Sequence, residues 1–327
     1  MIRLMSLLAT LTLVLFGVSL AIGPADVGLA QSLGALWQDD GTPLTLVMRE
    51  IRLPRALLAV MIGASLGLAG AAMQGYLRNP LAEPGLIGVS SSAALGAVLS
   101  LQTGFAAAFA LALPLSALAA ALLGVLLVLA LAGPRGASMT LILAGIAISA
   151  MAGALTSLVL NLSPNPYAAN EIVFWMMGSL ADRSMLHVAL ALPIMAVGWI
   201  LLGALGRGFD ALTLGEDAAK SLGINLGRLR LSLVVGTSCV VGAATAVAGA
   251  IGFVGLVVPH ILRPFVGGRP SRLLWASALG GAPLVLAADI AVRLILPTRD
   301  LKIGVVMALI GAPLFLHLIY KTRKELA

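Results

Sequence analysis

Long apolar runs, separated by short polar breaks, divide this sequence almost from end to end. Most runs approach the roughly 20 apolar residues that an α-helix needs to cross the hydrocarbon core of a bilayer. The pattern predicts an all-α polytopic membrane protein of about ten transmembrane helices, with residues 1–327 forming a single transmembrane domain. The predicted spans are Leu4–Ile22, Ala56–Leu77, Leu86–Leu101, Phe105–Ala132, Met139–Leu160, Met185–Leu205, Leu231–Ala248, Ala250–Val266, Leu273–Leu296 and Ile303–Tyr320.

Three of these runs permit another interpretation, and hydropathy alone allows about eight to eleven spans. Leu231–Val258 is nearly continuous, and we divide it at Gly249 because glycines cluster there. Leu86–Leu101 is short and rich in glycine and serine, as expected of a tilted or broken helix. Leu4–Ile22 resembles a signal peptide but is long enough to span, so we predict a retained first helix.

Composition supports a membrane protein and excludes several other classes. The chain is 60% hydrophobic and only 10% charged, whereas soluble domains carry about 25% charged residues. The net charge of +7 comes without the basic runs interleaved with aromatics that indicate nucleic-acid binding. The lone Cys239 excludes an intrachain disulfide. His187, His260 and His317 are far apart and form no metalloprotease motif, so we expect neither a metal site nor an enzyme.

The basic residues favour an even number of spans. With ten spans and the N-terminus inside, 13 of the 20 Lys and Arg residues fall on the cytoplasmic side. This bias has the sign of the positive-inside rule and predicts that both termini are cytoplasmic. The seven outer residues are Arg49, Arg52, Arg55, Arg183, Arg293, Arg299 and Lys302.

A polar segment at about residues 211–227 has the features of a short exposed helix. Thr213 or Gly215 is placed to cap it, acidic residues occupy its first turn, and Gly223 is placed to stop it. The segment lacks the glycine before the lysine of a P-loop and carries two acids where phosphates would lie, so we expect that this chain does not itself hydrolyse ATP. A short exposed helix between spans is suited to docking a partner. These residues alone support a simple connecting loop equally well.

Polar residues at the predicted outer ends of two spans are unusual. Arg52 and Arg55 lie three apart and predict one positive patch facing outward, for an acidic partner or for lipid phosphates. Asp289 lies four residues before Arg293, which predicts an ion pair that neutralises the carboxylate; proton coupling is the alternative. Gly63 and Gly67 form a GxxxG pair, for which we expect ordinary helix packing.

These residues carry a resemblance to a known family that covers nearly the whole chain. The sequence resembles the FecCD-type permeases of type II ABC importers for iron–siderophores, haem and cobalamin. The motifs that carry the resemblance are Arg52-Leu53-Pro54-Arg55, Gly63-Ala64, Gly70, Gln74, Arg78–Gly85, Trp175–Ser179, Leu214-Gly215-Glu216, Leu222-Gly223, Gly249–Arg263, Asp289, Arg293, Ile303–Val306 and Gly311-Ala312-Pro313.

The resemblance implies ten helices per subunit, a homodimer, two ATPase subunits that hold ATP and Mg²⁺, and a periplasmic binding protein. It implies no cofactor on this chain and a location in the bacterial inner membrane. Three sets of positions acquire roles from the family. They are ATPase coupling by Leu214, Gly215, Glu216, Ala218, Ala219, Leu222 and Gly223; binding-protein docking by Arg52, Arg55 and Arg293; and a translocation gate at Asn79, Leu81 and Ser138.

The sequence also departs from the family pattern. Asp300-Leu301-Lys302 stands where the family usually has Glu-Leu-Pro, which puts docking at this loop in doubt. An iron chelate, siderophore or haem, is the expected cargo because such cargoes are commonest in the family, and cobalamin is the alternative. An ion-coupled secondary transporter and an intramembrane enzyme remain as alternatives from other classes.

Overall fold

The computed structural model describes residues 1–23, 29–37, 41–133, 138–163, 166–295 and 301–326. These residues form fifteen α-helices, which we number in chain order. The helices are α1 Ile2–Ala21, α2 Leu29–Ala35, α3 Pro43–Leu46, α4 Leu53–Leu77, α5 Val89–Gln102, α6 Ala112–Ala132, α7 Ser138–Asn161, α8 Pro166–Met176, α9 Met185–Gly203, α10 Gly206–Leu212, α11 Glu216–Ser221, α12 Leu226–Ala248, α13 Val254–Leu262, α14 Pro270–Ile295 and α15 Ile303–Leu326.

Seven of the helical segments in this part of the chain are long and apolar enough to cross a membrane. The apolar helix α5 and the apolar part of α15, Ile303–His317, are shorter. Together with α13 they account for the ten predicted spans, and the predicted all-α membrane fold is confirmed. The seven segments are Ile2–Ala21, Pro43–Leu77, Ala112–Ala132, Met139–Asn161, Met185–Gly203, Leu226–Ala248 and Pro270–Ile295.

Helix α4 is the centre of the bundle. Seventeen of its 25 residues are buried, and it packs most extensively against α14, with α9, α12 and α13 on its other sides. A Cβ on Gly63 would overlap the carbonyl of Gly281, and one on Gly67 would overlap that of Ser277. The predicted GxxxG pair therefore does what small residues do in membrane helices, since it brings two backbones into direct contact.

The predicted break at Gly249 is confirmed, but the span after it is not a continuous helix. Helix α12 ends at Ala248, and Gly249 follows with a left-handed φ of +73°. Helix α13 begins only at Val254 and has nine residues, so it rises about 13 Å. Residues 249–253 are non-helical, and this stretch replaces the first four residues of the predicted span Ala250–Val266.

Two other predicted spans start later than expected. A 3₁₀ turn at Pro84–Ile87 and a left-handed Gly88, φ +78°, precede α5, which confirms the broken helix. Helix α6 starts at Ala112 instead of Phe105, because Gly104, φ +74°, introduces a separate 3₁₀ turn. Left-handed backbone is readily adopted by glycine but ends a right-handed helix.

The structure adds short helical segments that the apolar pattern did not predict, namely α2, α3, α8 and α10. Helix α8 has 11 residues and starts at Pro166, a favoured residue for the first helical turn. Helix α4 starts at Leu53, within the Arg52–Arg55 motif, but helical structure begins earlier, because α3 leads into a π-helical turn, Val47–Arg52, that continues directly into α4. Pro54 still occupies the first turn of α4, as predicted.

Candidate docking faces and gate

The helix predicted at residues 211–227 is present as α11. Glu216 and Asp217 occupy its first turn, and Gly215 is the N-cap, at φ +103° and without a side-chain cap. The helix ends at Ser221, and Gly223, φ +82°, allows the chain to turn away. The Thr213 hydroxyl bonds instead to the Asp210 carbonyl, so of the two predicted caps Gly215 holds the position.

One face of α11 is anchored and the other is open. Ala219 is fully buried, and its carbonyl accepts a hydrogen bond from the Ile224 amide. Leu214 and Leu222, at either end of the helix, are 69% and 63% exposed. Two exposed leucines at the ends of a charged helix offer apolar surface suited to a protein partner.

A carboxylate joins α10, next to α11, to the start of α14. Asp210 accepts hydrogen bonds from the Ser271 amide at 2.9 Å and the Ser271 hydroxyl at 2.7 Å. Arg269 Nε lies 2.8 Å from Asp210 Oδ2 and forms an ion pair with this carboxylate. Burial alone would raise the pKa of the Asp210 carboxyl, but the Ser271 and Arg269 hydrogen bonds outweigh it and lower that pKa. The contact fixes α14 to the segment that precedes α11.

At the opposite end of α14, Asp289 binds two arginines. Arg55 Nε lies 2.9 Å from Asp289 Oδ1, and Arg293 Nη2 lies 2.9 Å from Asp289 Oδ2. The Asp289 side chain is completely buried. The predicted pair of Asp289 and Arg293 is therefore present, and Arg55 is a second partner that sequence spacing did not reveal.

Arg52 and Arg293 bind the C-terminal end of α1. Arg52 Nη1 donates to the carbonyls of Leu20 and Ala21 at 3.0 and 3.1 Å. Arg293 Nη1 donates to the carbonyls of Ser19 and Ile22, both at 2.9 Å, and its Nη2 donates to the Ser19 hydroxyl. The last carbonyls of a helix lack intrahelical partners, and these guanidinium groups supply them.

This geometry corrects the expectation of an outward-facing patch formed by Arg52 and Arg55. Arg52 is only 3% exposed, because its guanidinium lies against the end of α1. Arg55 and Arg293 keep 17% and 13% of their side chains exposed. We call Arg52, Arg55, Asp289 and Arg293 the arginine cluster. Docking of a binding protein at these residues stays a prediction.

The predicted gate residues lie in the short link between α4 and α5. Arg78 ends α4 in a left-handed conformation, φ 50°, and Asn79 Oδ1 accepts a hydrogen bond from the Leu81 amide at 2.9 Å. Asn79 is exposed and Leu81 is half-buried. Ser138 is the first residue of α7, and its side chain lies outside the described residues. The link is thus a tight turn with one apolar and one polar side chain at its tip.

Near this link, Gln74 forms buried hydrogen bonds for which the sequence interpretation predicted no function. The Gln74 amide donates to the Gly255 carbonyl at 3.3 Å, and Gln74 Oε1 accepts from Arg263 at 2.6 Å. Gln74 is 2% exposed. Its polarity inside an otherwise apolar helix was the available signal, and its partners on and after α13 explain why a polar residue is retained there.

The loop that departs from the family pattern is only partly described. Asp300 lies outside the described residues. Lys302 lies over the ring of Phe174 in α8, with 5.5 Å from its Nζ to the ring centroid, a geometry in which cation and ring attract. In the part of the chain that the structure describes, no group of three or more His, Cys, Asp and Glu side chains is placed to hold a metal ion.

Comparison with known proteins gives matches over nearly the full length. The model of the FecCD transport family matches residues 11–321. The chain is 41% identical over 290 residues to YvrB of Bacillus subtilis, an ABC transporter permease protein, covering 87% of this chain and 82% of YvrB. It is 39% identical over 319 residues to the hemin transport system permease protein HmuU of Yersinia pestis, covering 94% of each chain.

Further matches differ in the cargo that is named. The cobalamin import permease BtuC of Halobacterium salinarum is 39% identical over 287 residues, covering 85% of this chain and 75% of that one. A solved ABC transporter in an inward-facing conformation, whose description assigns it to the metal-chelate type, superimposes with a TM-score of 0.86. It is 32% identical, and the match covers 98% of this chain and all of the other. A near-complete family match, high identity and a shared fold agree, so the chain is a membrane-embedded permease subunit of an ABC importer and belongs to the FecCD transport family.

Proposed function

We propose that two copies of this chain form the pathway of an inner-membrane importer for an iron chelate, a siderophore complex or haem. Two ATPase subunits bind at the α11 end of the bundle and hold ATP and Mg²⁺, while a periplasmic binding protein delivers cargo at the arginine cluster. The observation that carries the proposal is the exposed helix α11, with Leu214 and Leu222 open at its ends, in a chain of the FecCD family.

The proposal sets the orientation of the molecule. The α11 end, together with both termini, is cytoplasmic, and the arginine cluster is periplasmic. The bias of basic residues toward the α11 end, derived from the sequence, supports this orientation. No catalytic residue is assigned to the chain, because ATP hydrolysis belongs to the partner subunits.

Motion reaches the cargo pathway through α14. Closure of the ATPase subunits on ATP displaces α11, and the Asp210 contact passes this displacement to the first turn of α14. Helix α14 has 26 residues, which corresponds to about 39 Å, and its far end carries Asp289 and Arg293. A rigid helix that joins the two docking faces lets each partner bias the same pair of conformations.

Docking of the binding protein uses what remains open of the arginine cluster. Asp289 neutralises one of three cationic charges, so the cluster retains positive charge for acidic residues of a binding protein. Arg55 and Arg293 are the partly exposed members. Arg52 supports docking indirectly, because it holds the end of α1 beside them.

Iron chelates are the first choice of cargo and cobalamin is the second. The match to a structure of the metal-chelate type covers 98% of this chain, and that to the hemin permease covers 94%. Cobalamin is retained because permeases named for it are 39% to 40% identical. An ion-coupled transporter is disfavoured, because the buried carboxylate Asp289 is already paired with two arginines.

The cargo is identified by transport in a defined system. The chain, its ATPase subunits and its binding protein are reconstituted in vesicles, and binding protein loaded with a ferric siderophore, haem or cobalamin is added in parallel. The proposal predicts that an iron chelate accelerates ATP hydrolysis and enters the vesicle. Acceleration and entry by cobalamin alone would replace the first cargo with the second.

A further inference from the structure

The non-helical stretch at residues 249–253, within the longest motif of the sequence, is strained at its end. Phe253 has φ +66°, a left-handed conformation that is unfavourable for a bulky side chain. It is the N-cap of α13 and provides no side-chain cap. Such a conformation persists only where its surroundings enforce it, and it is typical of functional and switching sites.

Three contacts hold Phe253 in place. Its amide donates to Glu83 Oε1 at 2.8 Å, and its carbonyl accepts hydrogen bonds from the amides of Leu256 and Val257 at the start of α13. Its ring lies so close to Gly311 of α15 that any Cβ there would overlap it. One residue therefore joins α13, α15 and the link between α4 and α5.

Glu83 lies on the same short link as the gate residues. It follows Asn79 by four residues and Leu81 by two, and the turn between them is closed by the bonds of Asn79 to Leu81 and Ala82. A displacement of the gate therefore moves Glu83 with it. The carboxylate also faces the positive end of the α13 helix dipole, which strengthens its attraction to the Phe253 amide.

Space beside this contact gives the carboxylate somewhere to go. A cavity of about 150 Å³ adjoins Glu83 and is lined by Leu66, Ser90, Val241 and Gly252 among others. Ser90 supplies a hydroxyl there, which lies 3.4 Å from the hydroxyl of Thr245. A carboxylate leaving the Phe253 amide would thus find volume and a polar neighbour on the same side.

We propose that Glu83 is a latch between the gate and the broken helix α13. The latch is closed when Glu83 holds the Phe253 amide, as here, and opens when ATP-driven motion displaces the link that carries Asn79 and Leu81. Release of the strained Phe253 then lets α13 and α15 reorient with the gate. Glu83 is a positioning residue that contacts no cargo, and the proposal rests on the proposed function and on the gate predicted at Asn79 and Leu81.

Substitutions at Glu83 test the latch by the amount of cargo imported per ATP hydrolysed. Loss of a hydrogen bond to a charged acceptor corresponds to about a tenfold shift between two states. Glu83→Ala is therefore expected to lower cargo per ATP about tenfold, while Glu83→Gln, which keeps an acceptor oxygen, falls less. Glu171→Gln, an exposed carboxylate in α8, is the control and should leave the ratio unchanged.

A reversible cross-link distinguishes a moving latch from a static brace. In a Cys239→Ser background, Glu83→Cys and Gly252→Cys are joined by a short bis-methanethiosulfonate reagent, which a thiol reductant removes. Position 252 suits this because a Cβ there would meet only Glu83, at 3.7 Å from its Oε1. A monofunctional methanethiosulfonate controls for added bulk.

The latch predicts that cross-linking lowers cargo uptake by the double-cysteine variant at least tenfold, relative to the same variant before cross-linking, and that reduction restores this uptake. The monofunctional reagent should leave uptake unchanged. Undiminished uptake by the cross-linked protein would overturn the proposal, since the contact would then persist through the whole cycle. Failure of the unsubstituted chain to import any cargo in the same vesicles would instead contradict the proposed function.

Discussion

Asp289 is the member of the arginine cluster whose substitution should affect stability most, because its side chain is fully buried between two guanidinium groups. A buried ion pair adds little net stability, but removing one partner leaves the others buried and uncompensated. Arg55 and Arg293 would then face each other without the carboxylate, and Arg293 also anchors the end of α1.

Asp289→Asn is therefore expected to destabilise the protein by about 3–5 kcal/mol. Unfolding of the purified protein in detergent, induced by heat or by denaturant, measures the change in stability. Asp217→Asn is the matched control, since that side chain is 99% exposed. Equal stability of the two variants would mean that the cluster is not the buried network described above.

Leu214 and Leu222 are the exposed residues on which the proposed docking of the ATPase subunits depends most. Burying a leucine side chain contributes about 1.5–3 kcal/mol, so replacing either with aspartate should weaken association with the ATPase subunit about 10- to 100-fold. Co-purification and titration of the subunit measure this. Thr103→Asp, an exposed position after α5, should leave association intact, and an unchanged affinity of the leucine variants would exclude this surface.

Single residues also show where sequence reasoning was sufficient. The pair of Asp289 and Arg293 follows from their spacing of four in one helix. Arg55 is 234 residues from Asp289, so nothing local predicts their contact. The outward-facing position predicted for Arg52 was wrong for a related reason. Its guanidinium donates to backbone carbonyls of α1, and every residue has a backbone carbonyl, so the sequence gives no signal for such a contact.

At the scale of elements, α14 connects the two proposed docking faces and packs along α4. Its contact with Asp210 depends on the ionised carboxylate, whose pKa is lowered from the ordinary value of 3.8. A lowered pKa means that the folded state favours the charged form. The contact therefore contributes stability above about pH 4 and loses it as the pH falls through the lowered pKa.

Asp210→Asn is neutral at every pH and should be less stable than the unsubstituted protein at pH 7 by about 1–2 kcal/mol. Arg269 contributes little to this difference, because its side chain is 58% exposed and screened by solvent. Denaturation at several pH values should show the gap closing below pH 4. A gap that is independent of pH would contradict a charged contact.

Contact between α4 and α14 can be tested with glycine substitutions in two helices. A methyl group at Gly67 would overlap the Ser277 carbonyl, whereas one at Gly17 in α1 meets nothing within 4 Å. Gly67→Ala should destabilise the protein by about 1–3 kcal/mol through overpacking. Gly17→Ala should be neutral or slightly stabilising, because alanine favours helix. Equal unfolding midpoints would contradict backbone contact at Gly67.

The elements also show the limits of periodicity. Hydropathy located most spans because lipid demands long apolar helices, and the glycine cluster correctly placed the break at Gly249. It did not reveal that α13 is a nine-residue helix. Gly255 of α13 packs backbone against backbone with Gly70 of α4. Non-helical chain at membrane depth is tolerated only when protein surrounds it.

At the scale of the whole molecule, the exposed helix α11 and the arginine cluster distinguish this chain from any other bundle of apolar helices. The family is shown by matches along nearly the whole chain. In the proposed assembly, cargo and partners bind surfaces formed by more than one chain, so the residues of this chain alone do not predict them. The proposed coupling of these two regions through α14 would make transport depend on ATP hydrolysis by a partner.

Dependence on ATP is therefore the most direct test of the account. Vesicles containing the chain are prepared with its ATPase subunits, with ATPase subunits unable to hydrolyse ATP, or with none, and uptake of labelled iron chelate from its binding protein is measured. The account predicts uptake only with active ATPase subunits and ATP. Uptake that persists without them, driven by an ion gradient, would contradict it.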